Sequence, residues 1–307
     1  MRKSIKERYA KMVGSSAHML LSLGRGIILL GIVFVIVSPI LSIISDAIMD
    51  QQDVYNPLVF LIPANFTTEN FQIAWSNMNY VRTFVNTIAL AFAAMILQVF
   101  VCSLTGYGFA RFRFPGRGIL FALVIVTIVI PVQSYMVSMF AQFQRFGIFD
   151  LRLNLLNTVA PVLLLSGFGM GLRSGLYIYI FRQFFRGLPK EIEEAALIDG
   201  AGWLRTYLRV MMPNAMSAII TVSVFSFVWQ YNDTFYAGMF MQQIALLPVR
   251  LVTLPNFLIS QIHVGEAALV SLVVSAGILL AVIPVVLMYF GIQRMFMEGV
   301  ERSGIVG

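Results

Sequence analysis

Charged residues are scarce in this chain of 307 residues. Asp, Glu, Lys and Arg make up 11% of it, whereas hydrophobic residues make up 59%. Soluble domains contain about 25% charged and about 45–50% apolar residues, so the composition excludes a soluble globular enzyme. The basic residues are separated by long apolar runs instead of sharing one polar face, which argues against a nucleic-acid-binding protein. The mean hydropathy of +0.86 indicates a membrane protein.

Residues that catalyse reactions or bind metals are scarce too. The single cysteine, Cys102, permits no intramolecular disulfide, and its apolar neighbours predict a packed helix residue. Neither His18 nor His263 belongs to a metal-ligand spacing, and the apolar stretches contain no pattern of nucleophile, histidine and acid. The phosphate-binding pattern Gly-x-x-x-x-Gly-Lys-Ser/Thr is absent as well. We therefore predict no catalytic residue, no metal site and no cofactor bound by this chain.

Long apolar stretches are abundant instead. A helix needs about 20 mostly apolar residues to cross the hydrocarbon of a bilayer. Six stretches reach this length, namely residues 26–45, 83–110, 118–144, 153–181, 210–232 and 267–293. The first is too long for a signal peptide and lacks a small-residue cleavage site, so we expect it to remain as a span. The sequence thus predicts an all-α polytopic membrane protein with six transmembrane helices.

The basic residues predict the orientation of these spans. Sixteen of the 21 Lys and Arg residues fall before the first span, in the second and fourth connections, or in the tail. The first connection, residues 46–81, has four acidic residues and no basic one. Because basic residues favour cytoplasmic loops, both termini are predicted to be cytoplasmic. We expect a basic cytoplasmic segment over residues 1–25, a transmembrane region over 26–293 and a cytoplasmic tail over 294–307.

Residues 234–262 form an ambiguous apolar segment. Gln242, Gln243, Arg250 and two prolines divide it into pieces that are too short to cross a bilayer. We therefore predict a re-entrant or surface element on the outer side rather than a seventh span, which would also place the tail outside.

The connection over residues 186–213 has the most informative pattern. Pro189 suits the first turn of a helix, and the acidic residues that follow complement the positive end of that helix. Gly200 and Gly202 suit a helix end and a sharp change of direction. The pattern predicts a short helix, a bend and a second short amphipathic helix that leads to Pro213.

This connection resembles the EAA loop of the transmembrane permease subunits of ATP-binding-cassette (ABC) importers. The resemblance is carried by Glu194-Ala195-Ala196, by Gly200 after three residues, and by Val210-Met211-Met212-Pro213 after nine more. Val210 and Met212 stand where the family usually has Ile and Leu. The string from Leu188 to Ala201 is similar to the carbohydrate branch, specifically the maltose-type second permease. The similarity extends over nearly the whole chain, although Glu301-Arg302-Ser303 departs from the family's small-residue tail.

The resemblance implies the type I ABC importer permease fold, with residues 191–202 forming a coupling helix in a cleft of an ATPase subunit. It implies that ATP and Mg bind to a separate pair of ATPase subunits, that a homologous second permease completes a heterodimer, and that a solute-binding protein delivers the substrate. Glu194 is expected to make the main polar contact, Ala195 and Ala196 to permit close packing, and Gly200 to set the bend. The expected coupling residues are Glu191, Glu194, Ala195, Ala196, Asp199, Gly200 and Gly202.

Arg173 stands inside the predicted fourth span, where a charge costs roughly 2.5–3.5 kcal/mol on insertion scales. Three interpretations remain open: a structural pair with a carboxylate or carbonyls, contact with the substrate in a cavity, or a position near an interface. A second candidate cluster at residues 229–233 combines aromatic rings, amides and a carboxylate, which suit either a sugar or an interfacial aromatic belt. The candidate pathway residues are Arg173, Trp229, Tyr231, Asn232, Asp233, Gln133 and Tyr135.

The expected function is that of a non-catalytic permease subunit in an ABC importer of the bacterial or archaeal plasma (inner) membrane. The expected substrate is a carbohydrate, with uronate-containing oligosaccharides as an extension because a guanidinium suits a carboxylate. An alternative is the same importer class carrying another solute, such as glycerol phosphate or a polyol. An ion-coupled secondary transporter is disfavoured, because the apolar spans contain no Asp or Glu and no repeat is evident.

Overall fold

The structure is a computed structural model that describes residues 2–148, 151–261 and 267–304. Its α-helices are α1 (Arg2–Ile48), α2 (Gln51–Val54), α3 (Glu69–Met78), α4 (Tyr80–Arg111), α5 (Arg117–Val129), α6 (Met136–Gln144), α7 (Ala160–Gly167), α8 (Ser174–Gly187), α9 (Lys190–Ile198), α10 (Trp203–Thr206), α11 (Met212–Asn214), α12 (Met216–Tyr231), α13 (Phe235–Phe240), α14 (Leu247–Gln261) and α15 (Ala267–Gly304). A 3-10 turn covers Val132–Ser134 and a π-helical turn covers Tyr207–Met211. The short antiparallel strands β1 (Phe146–Ile148) and β2 (Leu151–Leu153) pair with Gly147 opposite Arg152. Apart from this hairpin the described fold is helical, so the predicted all-α class is confirmed.

The helices divide into two compact units, of which the first contains α1, α2 and the start of α15. In this unit the loop after α1 folds back onto the end of that helix. The Asn70 amide donates hydrogen bonds to the carbonyls of Met49 (2.8 Å) and Ala47 (3.2 Å). Asp53 accepts hydrogen bonds from the backbone N–H of Asn65 (2.7 Å) and from its side-chain amide (2.9 Å). These hydrogen bonds, the backbone one first, hold the pKa of Asp53 below its ordinary value.

The second unit is built around α4, which packs against α7, α8 and α12. One apolar cluster surrounds the first half of α4 and includes Leu90, Ala94, Phe143, Leu165 and Phe240. The other surrounds its second half and includes Cys102, Tyr107, Phe181, Phe185, Tyr207 and Val222. Gly106 allows α4 and α8 to approach closely, because a Cβ atom at this position would lie 2.6 Å from Phe181 Cβ and 2.9 Å from the backbone nitrogen of Arg182.

Replacing Gly106 with Ala should separate these two helices. The new methyl group meets atoms close to the α8 backbone, which cannot rotate away, and overpacking of this kind typically costs about 1–3 kcal/mol. We expect a clear fall in the midpoint of thermal unfolding of the purified protein. Gly108→Ala is the matched control on the same helix, since its Cβ would meet its nearest neighbour at 3.9 Å. Equal midpoints for the two variants would contradict this description of the α4–α8 contact.

Three of the six predicted spans are not single helices, which corrects the sequence prediction. In the third, Pro131 follows the end of α5, and the chain passes through the 3-10 turn into α6. The fourth consists of α7, a non-helical break at residues 168–173, and α8. The fifth starts with the π-helical turn and α11, and then bends by 80° into α12. An apolar run of sufficient length therefore does not guarantee an unbroken helix in this chain.

Three described helices are long and apolar enough to cross a membrane alone, namely Ser22–Ile48, Tyr80–Arg111 and Ala268–Gln293. The bent pair Trp203–Asn214 and Met216–Tyr231 passes the same test when it is taken together. The total of six spans stays a prediction. The region boundaries predicted near residues 25 and 294 lie inside α1 and α15, both of which continue through them.

Residues 234–261 are divided into α13 and α14, as the sequence predicts, with Gln242 and Gln243 between the two helices. Pro248 occupies the start of α14, whereas Pro255 lies inside that helix and does not end it. The expected role of Pro255 as a helix breaker was therefore wrong. Residue 262, the last of the predicted element, lies outside the described residues.

Candidate functional site

The most distinctive feature of the second unit is a helical hairpin between α8 and α12. We define the α9–α10 hairpin as residues 190–211, which comprise α9, α10 and the π-helical turn. Gly200 adopts a φ of +79°, and the N–H groups of Gly200 and Ala201 donate to the carbonyls of Leu197 (3.1 Å) and Ala196 (3.0 Å), which closes the end of α9. Gly202 has ordinary extended geometry, with φ −71° and ψ 163°. The predicted helix, bend and helix are confirmed, with Gly200 alone in the left-handed region.

The outward side of the hairpin carries both acidic and apolar side chains. Glu191, Glu194, Ala195 and Asp199 are exposed, and Ile198 is 86% exposed at the tip of α9. On the second arm a shallow apolar depression has a cavity volume of about 540 Å³ and is lined by Gly202, Trp203, Leu204, Arg205, Leu208 and Arg209. Ala196 is buried in its own chain, and its expected role in permitting close packing of a partner stays a prediction. The hairpin therefore exposes carboxylates and Ile198 on its first arm, and an apolar depression lined in part by Arg205 and Arg209 on its second arm.

Glu193, on the inward side of α9, binds to the end of α4 and was not among the candidate residues predicted from the sequence. Glu193 is buried, with 6% of the residue exposed. Its Oε1 accepts a hydrogen bond from Tyr107 Oη (2.5 Å), and its Oε2 lies 3.1 Å from Arg111 Nε. Arg111 also donates to the carbonyl of Leu188, just before α9, at 2.9 Å. The i, i+4 spacing of Tyr107 and Arg111 on one helical face is the sequence signal that could have suggested this contact.

The second arm of the hairpin contacts the same end of α4. Tyr207 Oη lies 2.6 Å from Ser103 Oγ, and the Tyr207 ring packs against that of Tyr107 with centroids 5.2 Å apart. Trp203 meets Phe112, the residue after α4, edge to face at 5.0 Å. Both arms of the α9–α10 hairpin therefore contact the same end of α4.

Arg173 lies in the break between α7 and α8, in a left-handed conformation with φ +61°. Its exposed guanidinium stands 4.4 Å above the ring of Trp229 on α12, so the structure brings two sequence candidates together. Among the described side chains no carboxylate pairs with Arg173. Gln98 on α4 holds the surrounding backbone, because its amide nitrogen donates to the carbonyl of Leu172 (2.9 Å) and to Ser174 Oγ (3.0 Å).

The remaining pathway candidates have different surroundings. Asp233 is buried, and its carboxylate accepts the backbone N–H groups at the start of α13, at 3.0–3.1 Å. Tyr231 is buried and donates to the carbonyl of Ala281 at 2.8 Å. Asn232 is exposed and bonds the carbonyl of Val228. Asp233 and Tyr231 therefore stabilise the local fold through these hydrogen bonds, and the expected contact of residues 229–233 with a sugar stays a prediction.

Gln133 and Tyr135 lie at the 3-10 turn after Pro131, and both are exposed. The Tyr135 side chain lies close to that of Tyr236 on α13.

The family described as binding-protein-dependent transport system inner membrane component matches residues 99–302, which cover the hairpin, the break with Arg173 and Trp229. The chain belongs to this family. The chain is therefore a membrane component of a transport system. The membrane location agrees with its mean hydropathy.

Relatives of this permease are named as uptake components. It is 29% identical over 305 residues to the diacetylchitobiose uptake system permease protein NgcG of Streptomyces coelicolor, covering 96% of this chain and 92% of that protein. It is 28% identical over 293 residues to the sn-glycerol-3-phosphate transport system permease protein UgpE of Escherichia coli, covering 94% and 95%. Its fold matches a solved bacterial ABC transporter involved in the import of the acidic polysaccharide alginate, with a TM-score of 0.72, 21% identity, and 90% and 96% of the two chains covered. The permease therefore has the ABC importer permease fold.

Proposed function

We propose that the permease is one membrane subunit of an ATP-driven importer for carbohydrates. The family match and the carbohydrate relatives support the class of function, and the α9–α10 hairpin supports the coupling to ATP. ATP and Mg would bind to a separate pair of ATPase subunits, and a second homologous permease would complete the pathway. A solute-binding protein outside the membrane would deliver the substrate. The basic segment 1–25, the hairpin and the tail 294–307 would face the cytoplasm, in agreement with the distribution of Lys and Arg.

The outward side of the hairpin is the proposed docking surface for an ATPase subunit. Ile198 and the apolar depression on α10 supply surface that can be buried, which is what a stable contact requires. Glu191, Glu194 and Asp199 would pair with basic side chains at the rim of that contact. Gly200 sets the angle between the two arms, and Ala195 and Gly202 leave room for close approach.

Charge reversal at Glu194 should weaken this docking. A Lys side chain would place a positive charge opposite the basic groups that Glu194 is proposed to meet, and like charges in a contact suppress association. We expect Glu194→Lys to lower the amount of ATPase subunit that copurifies with the permease by about tenfold, equivalent to about 1.4 kcal/mol. Glu69→Lys, an exposed acidic position on α3, is the control and should retain the ATPase. Normal retention by Glu194→Lys would remove this residue from the docking surface.

Arg173 and Trp229 are the proposed substrate contacts of this subunit. An exposed arginine in a predicted span needs water or an anionic partner, and the described part of the chain supplies no carboxylate for it. The indole ring can stack on the apolar face of a sugar, while the guanidinium can form two parallel hydrogen bonds with a carboxylate or phosphate group. We propose that the substrate is a carbohydrate with a negatively charged group.

The proposed function can be tested with the permease, its partner permease, its ATPase pair and its solute-binding protein in proteoliposomes. ATP hydrolysis and uptake would be measured with diacetylchitobiose, an oligouronate and sn-glycerol 3-phosphate. We expect ATP-dependent uptake of the oligouronate. Uptake that follows an ion gradient and ignores ATP would refute the importer class, and uptake of diacetylchitobiose alone would refute the anionic substrate.

A further inference from the structure

We propose that Glu193 is a positioning residue that makes the α9–α10 hairpin and α4 move as one body. The inference rests on the proposed function, because it concerns how a displacement of the hairpin by an ATPase reaches the substrate pathway. It adds a role for a residue on the side of α9 opposite to the docking surface.

The first observation is the chemistry of the contact. Among the side chains that the structure describes, Glu193 and Arg111 form the one ion pair, and Tyr107 donates a hydrogen bond to the same carboxylate. All three polar groups are shielded by aromatic rings, since Tyr107 packs edge to face against Phe112 and Phe185 with centroids 5.5 Å apart. Removing one partner of a buried ion pair leaves an uncompensated charge, so such a contact resists separation. An exposed pair between the same elements would not resist a pull in this way.

The second observation is that α4 also contacts, through Gln98, residues close to both proposed substrate contacts. Gln98 lies nine residues before Tyr107 on the same helix, about 14 Å away along its axis at about 1.5 Å per residue. It bonds the residues on both sides of Arg173 and also accepts a hydrogen bond from Ser226 Oγ, one turn before Trp229. One helix therefore holds the hairpin at its end and the Arg173–Trp229 pair further along. If Glu193 makes α4 move with the hairpin, that movement would shift the residues that hold Arg173 and Trp229, the two proposed substrate contacts.

The test is the amount of substrate transported per ATP hydrolysed by the complete complex in proteoliposomes, with an oligouronate as the probe. Glu193→Gln keeps the size of the side chain and can accept the Tyr107 hydrogen bond, but it removes the charge that faces Arg111. We expect this ratio to fall about tenfold while the complex still assembles and hydrolyses ATP, because a neutral amide replaces the charged partner of Arg111. Glu69→Gln should keep the ratio within about twofold of the unaltered complex.

A double variant separates a shared contact from two independent effects. Tyr107→Phe keeps the packed ring and removes the hydroxyl that donates to Glu193. If the two side chains act through one contact, the combined variant should transport per ATP about as much as the worse single variant. The inference would be overturned if the fold-losses of the two single variants multiplied in the double variant. It would also be overturned if Glu193→Gln left the ratio unchanged, or if its transport and ATP hydrolysis fell only in proportion to the amount of assembled complex. ATP-dependent uptake by the unaltered complex tests the proposed function itself. A failure of the proposed function would therefore be seen in the unaltered complex, and a failure of this inference would be seen only in the variants.

Discussion

Replacing Arg173 with Asn is expected to lower the uptake of an oligouronate about 100-fold while leaving uptake of a neutral disaccharide within about threefold. Asn is preferred to Ala because residue 173 has a φ of +61°, a conformation that Asn tolerates better than most residues. The substitution therefore removes the guanidinium without adding backbone strain. Initial rates of ATP-dependent uptake into proteoliposomes would measure the effect.

Arg113→Asn serves as the control for a lost positive charge, since Arg113 is exposed in the connection between α4 and α5. Arg173→Lys should recover only part of the uptake, because an ammonium group cannot form the two parallel hydrogen bonds that a guanidinium offers to a carboxylate. Equal losses with the charged and the neutral sugar would show that Arg173 supports the fold and does not select the substrate.

Replacing Gly200 with Val is expected to uncouple ATP hydrolysis from transport. A left-handed conformation costs an ordinary L-residue roughly 1–2 kcal/mol, and a β-branched side chain more, so the end of α9 would rearrange. The space around Gly200 is open, since an added Cβ would meet no atom within 4 Å. Any loss of coupling in Gly200→Val would therefore come from the backbone angle at residue 200. We expect transport per ATP to fall at least about tenfold, measured in the reconstituted complex.

Two further substitutions isolate the backbone angle as the cause. Gly200→Asn should restore most of the coupling, because Asn visits the left-handed region. Gly187→Val adds the same side chain in open space at the end of α8, where the backbone is right-handed, and should transport normally. Full coupling in Gly200→Val would mean that the angle between the two arms of the hairpin does not matter for docking.

The hairpin was predictable because local rules decide it. Pro189 at the helix start, acidic residues in the first turn and Gly200 at the end all favour the geometry that the structure shows. The helix breaks were less accessible to sequence reasoning. Pro131 interrupts one predicted span, whereas Pro39 and Pro284 lie inside continuous helices, so tertiary contacts decide what a proline does.

The side-chain partners were beyond the reach of a single sequence. Glu193 and Glu194 are neighbours with the same chemistry, yet one is buried and the other exposed, because only one of them faces α4. The partners of Asp233 were not predictable either, because its oxygens accept hydrogen bonds from backbone N–H groups of α13. The pairing of Arg173 with Trp229 joins the break before α8 to α12, which are far apart in the sequence. Such contacts depend on how helices pack, which hydrophobic periodicity does not specify.

The position of Gln98 sets a condition for protein engineering. Its amide group spans Leu172 and Ser174 on one side and Ser226 on the other, so three separate stretches of chain meet at one buried side chain. A chimera that grafts the 168–174 segment of another permease into this one would keep a backbone carbonyl at residue 172, but it would lose the Ser174 hydroxyl wherever the graft has another side chain there. Grafts that exchange residues 98, 168–174 and 226 together should fold, and the smallest transferable module for substrate choice is therefore discontinuous.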